Sequence, residues 1–144
     1  MSKHSEYAAE CFNSFNCCQS VFTAFCEELG LDRESALKIA CAFGGGMSHT
    51  DETCGAVTGA LMVLGLKHGK FKADDQAAKE KTSQLTQAFI SRFKDEFGSV
   101  RCTDLLHLNL SKPEEFAKAK ESGVFKTICP VLVKRAAEIA EGII

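Results

Sequence analysis

The chain contains no Cys-x-x-Cys pair, although it carries eight cysteines in 144 residues. That absence excludes a thioredoxin-type motif, a zinc ribbon or finger, and covalent c-type haem attachment, each of which needs two cysteines at that spacing. Also missing is any run of roughly 20 apolar residues, the length a membrane-spanning helix needs. The opening stretch Met1-Ser2-Lys3-His4-Ser5-Glu6-Tyr7 lacks the apolar centre of a secretory leader, so a cytoplasmic location is expected. No charge of one sign dominates: 17 Lys and Arg stand against 19 Asp and Glu, a formal net charge of -2. A polyanion finds no basic excess to bind, and nucleic acid is not an expected partner.

Proline occurs only twice. Alternating β-branched runs, internal repeats and low-complexity linkers are all lacking, and the apolar periodicity is helical throughout. The length matches the commonest size of one domain. The expectation is a single all-α domain over residues 1–144, a bundle of about six or seven helices.

Caps and breakers set the boundaries. A short first helix is expected over Ser5–Phe12, then a break at Asn13–Asn16, with Asn16 capping a helix over Cys17–Leu29. Val21, Phe22, Phe25, Cys26 and Leu29 share its apolar side, and Gly30 stops it. Asp32 caps a third helix to about Phe43, which offers Leu37, Ile39, Ala40 and Phe43 to the core. Gly44-Gly45-Gly46 ends that helix and opens a mobile polar loop, Met47–Glu52; it lacks the Gly-Lys-Ser/Thr ending of a phosphate-binding loop. Thr53 is placed to cap a helix over Cys54–Leu64, closed by Gly65 and Gly69. That segment is apolar nearly all round, so it should be central and buried.

The longest pattern, about Ala73–Phe97, repeats Leu85, Phe89, Phe93 and Phe97 every four residues, the spacing of a core stripe. A short helix is expected around Cys102–Leu106 and another from Ser111 or Pro113. Gly123 interrupts, and a last helix runs from Pro130 to about Glu141.

On this map four cysteines fall at helix starts. Cys17 follows Asn16, Cys54 follows Thr53, Cys102 lies three residues after Ser99, and Cys129 immediately precedes Pro130. The first turn of a helix has unpaired N–H groups and a partial positive charge, both of which stabilise an anion. A thiolate there forms below the free thiol's value of about 8.5 and becomes available for exchange or metal ligation. Cys17, Cys54, Cys102 and Cys129 are therefore the candidate catalytic and metal-ligating residues. With 36, 47 and 26 residues between them, any common site must be assembled by the fold.

Cys11, Cys26 and Cys41 fall inside helices among apolar neighbours and read as core. Cys18 lies about 100° around the helix from Cys17, and a disulfide between such neighbours is strained. His49 and His68 flank the buried helix within reach of a metal, although loop exposure is the plainer role. Asp51 and Glu52 solvate the loop before Cys54, with proton acceptance as the alternative. Gly55 and Gly59, four apart, leave one helix side bare so that another helix or a bulky cluster can approach; they are the candidate cofactor contacts.

Cys54-Gly55-Ala56-Val57-Thr58-Gly59 resembles the core of the C_GCAxxG_C_C family of bacterial and archaeal proteins, which has four dispersed cysteines. The resemblance is nearly full length. Asn16-Cys17-Cys18-Gln19-Ser20-Val21 resembles the family's Asn-Cys-Ala-Gln-Ala-Val opening, with Cys18 where alanine is usual. Phe43-Gly44-Gly45-Gly46-Met47 resembles its glycine-rich approach, Phe97-Gly98-Ser99-Val100-Arg101-Cys102 its third cysteine, and Cys129 before Ala136-Ala137-Glu138 its fourth. The resemblance implies redox activity with Cys17, Cys54, Cys102 and Cys129 as the functional set. It also implies relatives encoded near transporters, and similar segments beside haem modules in electron-transfer proteins. It implies no reaction or substrate.

Three chemistries stay open at this point. Converging thiolates would hold an iron–sulfur cluster for electron transfer, or a structural zinc. Paired thiols would exchange disulfides with a redox partner protein or small thiol. A non-catalytic cytoplasmic partner or sensor of a membrane transporter, with structural cysteines or zinc, is the third; a homodimer is compatible with each.

Overall fold

Helix caps divide the chain largely where its sequence places them. The structure, a computed structural model, describes residues 2–144; Met1 lies outside them. Eight right-handed α-helices and no strand occur among the described residues: α1 (Lys3–Cys11), α2 (Cys17–Cys26), α3 (Arg33–Ala40), α4 (Gly55–His68), α5 (Gln76–Phe97), α6 (Cys102–Leu106), α7 (Pro113–Ser122) and α8 (Cys129–Ile143). A single turn, Val124–Thr127, joins the last two. No helix is long and apolar enough to cross a membrane.

Asn16 starts α2 with a reciprocal cap. Its Oδ1 accepts from Gln19 N–H at 2.9 Å, while Gln19 Oε1 accepts from Asn16 N–H at 3.0 Å. This satisfies two groups the helix would otherwise leave bare. Gln19 Nε2 also donates to Leu37 O at 3.0 Å, tying α2 to α3. The α4 helix packs most extensively on α2 and also touches α5 and α8, the central position expected of an all-apolar helix. Its buried residues are Gly55, Ala56, Val57, Gly59, Ala60, Val63 and Leu64. On α5 the stripe is core: Phe89 and Phe93 are fully buried, each contributing about 1.5–3 kcal/mol of burial, with Leu85 and Phe97 half-buried beside them.

Several boundaries differ from expectation. The α2 helix ends at Cys26, leaving Leu29 half-buried in the turn before Gly30. Ile39 is 53% exposed, because Ala36 and Ala40, four residues apart, form the buried edge of α3. The third helix tightens into a 3₁₀ turn at Cys41–Phe43. Thr53 does not cap α4: it pairs with Arg101 in an isolated antiparallel bridge, and Cys54 itself occupies the cap position. Gly65 lies within α4, which runs on to Gly69.

Candidate functional site

All four selected cysteines sit at helix starts. Cys17, Cys102 and Cys129 are the first residues of α2, α6 and α8, and Cys54 is the N-cap of α4. Although dispersed in sequence, they line one cavity of about 440 Å³ together with Gly55. Apolar side chains, among them Phe12, Phe15, Leu106, Leu110, Phe125 and Leu132, form most of its wall. Cys17, Cys54 and Cys102 are buried, and Cys129 is half-buried.

Two local devices hold this arrangement. The first is the Thr53–Arg101 bridge, in which Cys54 N–H donates to Val100 O at 2.7 Å and Cys102 N–H donates to Glu52 O at 3.0 Å. The starts of α4 and α6 are thereby fixed side by side. Asp51 clasps the bridge from outside: its carboxylate accepts from the Thr103 hydroxyl and pairs with the Arg101 guanidinium. These two partners, Thr103 first, hold the Asp51 carboxyl below the usual range. Neither Asp51 nor Glu52 lines the cavity.

The second device replaces the expected loop. Gly45, Gly46, Met47, Ser48 and His49 all have positive φ, between 60° and 73°, making a left-handed turn across the cavity. Left-handed backbone costs an L-residue about 1–2 kcal/mol, a cost the two glycines escape and Met47, Ser48 and His49 bear. The turn is anchored by Ser48 Oγ donating to Ala42 O at 2.7 Å, and by Glu52 N–H donating to Gly46 O at 3.1 Å. Gly46 lies so close to Cys102 that a Cβ built on it would be 2.7 Å from Cys102 Cβ.

The thiols are not equivalent. Cys17 is brought down from 9.0 to about 7, chiefly by hydrogen bonding from the Cys54 thiol and then by the backbone N–H groups of Gly45, Cys18 and Cys17 itself, against the opposing effect of burial. Cys54 moves the opposite way, well above 9.0, because it keeps the proton shared with Cys17 and is buried. Burial pushes Cys102 up to about 12, with the charges of Cys17 and Asp51 adding to it. Cys129 rises to about 12 for the same first reason, with Cys17 and Cys102 contributing. Net lowering is therefore confined to Cys17, where the hydrogen bond from Cys54 leads; burial dominates at Cys102 and Cys129, and at Cys54 it adds to the effect of the proton shared with Cys17.

The remaining candidates separate cleanly. Cys18 is fully buried and gives its thiol to Met62 Sδ at 3.8 Å, while Cys11 and Cys26 pack around Thr23, so none of the three lines the cavity. Cys41, expected in the core, is exposed and does line it, because the 3₁₀ turn rotates it out of the α3 register. His49 lines the cavity, its ring 4.7 Å from that of Phe116. His68 does not; its Nε2 lies 3.4 Å from Ile144 O. Gly59 packs on α2, where a Cβ would be 2.7 Å from Cys18 O, and is a helix-packing residue away from the cavity. Among the described residues no group of three or more His, Cys, Asp or Glu is arranged to hold a metal ion. The four thiols thus share a cavity without forming a ready ligand set.

The sequence profile described as "Putative redox-active protein (C_GCAxxG_C_C)" matches residues 15–143. No curated protein and no solved structure matches the chain.

Proposed function

The chain belongs to the C_GCAxxG_C_C family, described by its redox character, and from that premise we propose that it is a thiol–disulfide exchange protein in which Cys17 attacks and Cys54 resolves. The observation that carries this reading is the asymmetric pair: Cys17 favours its thiolate because Cys54 and three backbone N–H groups solvate it, while Cys54 retains a proton. A thiolate poised near neutral pH is the attacking partner that exchange requires. Cys17 sulfur displaces one sulfur of a disulfide substrate, breaking that bond and forming a mixed disulfide. Cys54 then gives up its proton to the departing thiolate and displaces the second substrate sulfur from Cys17. The protein dithiol loses two electrons and the substrate gains them. Cys102 and Cys129, protonated in the same cavity, serve as a second dithiol that a further equivalent of disulfide oxidises after the Cys17–Cys54 pair.

The test is anaerobic purification followed by analysis of metal, acid-labile sulfide and thiols, then titration with one equivalent of a small disulfide. The expected product is colourless and has lost two thiols, with peptide mapping joining Cys17 to Cys54. Cys17→Ser and Cys54→Ser do not form that link, whereas Cys11→Ser and Cys26→Ser do. A brown protein with labile sulfide, or one stoichiometric zinc lost on substitution of these cysteines, would replace exchange with a metal centre.

A further inference from the structure

Apart from the Cys17 thiolate, the wall of the cysteine cavity carries no fixed charge. Among the described residues that line it there is no Asp, Glu, Lys or Arg; the polar contributions come from Asn16, Ser48, His49 and the thiols. Arg33 stacks over the Phe15 ring at 5.3 Å, but it gives its Nε–H to the Tyr7 hydroxyl and lines a separate depression. The common low-molecular-mass biological disulfides bear carboxylates, and a site for one needs fixed cations to replace the water those groups lose. This cavity supplies none. Its volume, about 440 Å³, lies in the range of small-molecule sites and its phenylalanine and leucine wall rewards apolar contact.

We propose that the cavity selects an uncharged, apolar small-molecule disulfide and rejects anionic ones. This deepens the exchange reading and rests on Cys17 being the attacking sulfur. The step balances as R–S–S–R plus the protein dithiol giving two R–SH plus the Cys17–Cys54 disulfide. The first R–S⁻ takes the Cys54 proton and the second takes one from water. A carboxylate on R would have to shed its hydration in an apolar chamber and approach the sulfur anion it reacts with. Both effects act against it and neither acts against a neutral R.

The test compares two disulfides of similar size on the reduced full chain: bis(2-hydroxyethyl) disulfide, which is neutral, and dithiodiglycolate, which carries two carboxylates. Each rate is divided by that of free 2-mercaptoethanol with the same disulfide, which removes intrinsic reactivity. The expected normalised preference for the neutral compound is at least about tenfold. Phe125→Lys places a cation on the half-buried rim and should reduce or reverse that preference. A wild-type preference near one, or toward the anion, overturns the proposal, and this comparison decides even if the lysine variant does not fold. Cys17→Ser separates the two levels of the reading. If it reacts with neither disulfide, Cys17 attack stands whatever the charge preference; if it reacts like wild type, the exchange reading itself fails.

Discussion

The sulfur of Cys17 occupies the space that a side chain on Gly55 would need: a Cβ built on Gly55 would lie 2.4 Å from Cys17 Sγ. The residue after Cys54 is thus bare because the attacking sulfur rests on it. The same Cβ would be 3.0 Å from Cys18 N and Phe43 O, so the backbone around it leaves no room to yield.

Gly55→Ala therefore tests whether that contact sets the reactivity of Cys17. Overpacking of this kind costs about 1–3 kcal/mol. Displacing Cys17 from Cys54 also removes the largest influence favouring its thiolate. Alkylation by a neutral reagent at pH 7 should slow by about tenfold, with its midpoint shifted to higher pH. Wild-type kinetics in a folded Gly55→Ala protein would show that the close approach does not position the sulfur.

The pH dependence of wild type has two arms of opposite sign. Alkylation of Cys17 should rise through a midpoint at about 7 and then level off. A lowered thiol adds stability as pH rises from its folded value toward 9.0, and this gain disappears as pH falls back through about 7. Cys18, Cys102 and Cys129 are raised from 9.0 to about 12, so their contribution is complete below 9.0 and lost as pH climbs toward 12. Urea midpoints should increase slightly between pH 7 and 9 and fall steeply above. A midpoint that stays level between pH 9 and 11 would contradict the burial of these three thiols.

How much of this was legible in the sequence depends on what kind of force sets each feature. Asn16 announces the start of α2 because a capping side chain followed by Gln19 is a local signal. Pro130 likewise marks the start of α8 at Cys129, whereas the starts at Cys54 and Cys102 have no side-chain cap and are set by the Thr53–Arg101 bridge. The ordering of the four thiols' acidities is not legible, since it depends on how deeply each helix start is buried and on which neighbour donates to it. The exposure of Ile39 and Cys41 was hidden because it turns on the Ala36–Ala40 edge packing inward and on the tightening of the chain into a 3₁₀ turn after α3. The glycine run signalled a break after Phe43. Nothing in Met47-Ser48-His49 signalled that the left-handed conformation continues past the glycines, because tertiary anchors maintain it.

That turn yields the last prediction, in which two neighbouring substitutions act with opposite sign. Ser48→Ala removes the 2.7 Å bond to Ala42 O that anchors the turn and should cost about 1 kcal/mol. With the anchor gone, Gly45 is less firmly held and its N–H solvates Cys17 less well, so alkylation at pH 7 should slow. His49→Gly keeps the anchor and relieves a residue held at φ 66°, which should stabilise by up to about 1 kcal/mol once the lost contact with Phe116 is offset. Urea unfolding of the two variants against wild type measures both terms. If His49→Gly is destabilised as much as Ser48→Ala, the histidine ring matters more than the backbone, and the left-handed turn is not a store of strain above Cys17.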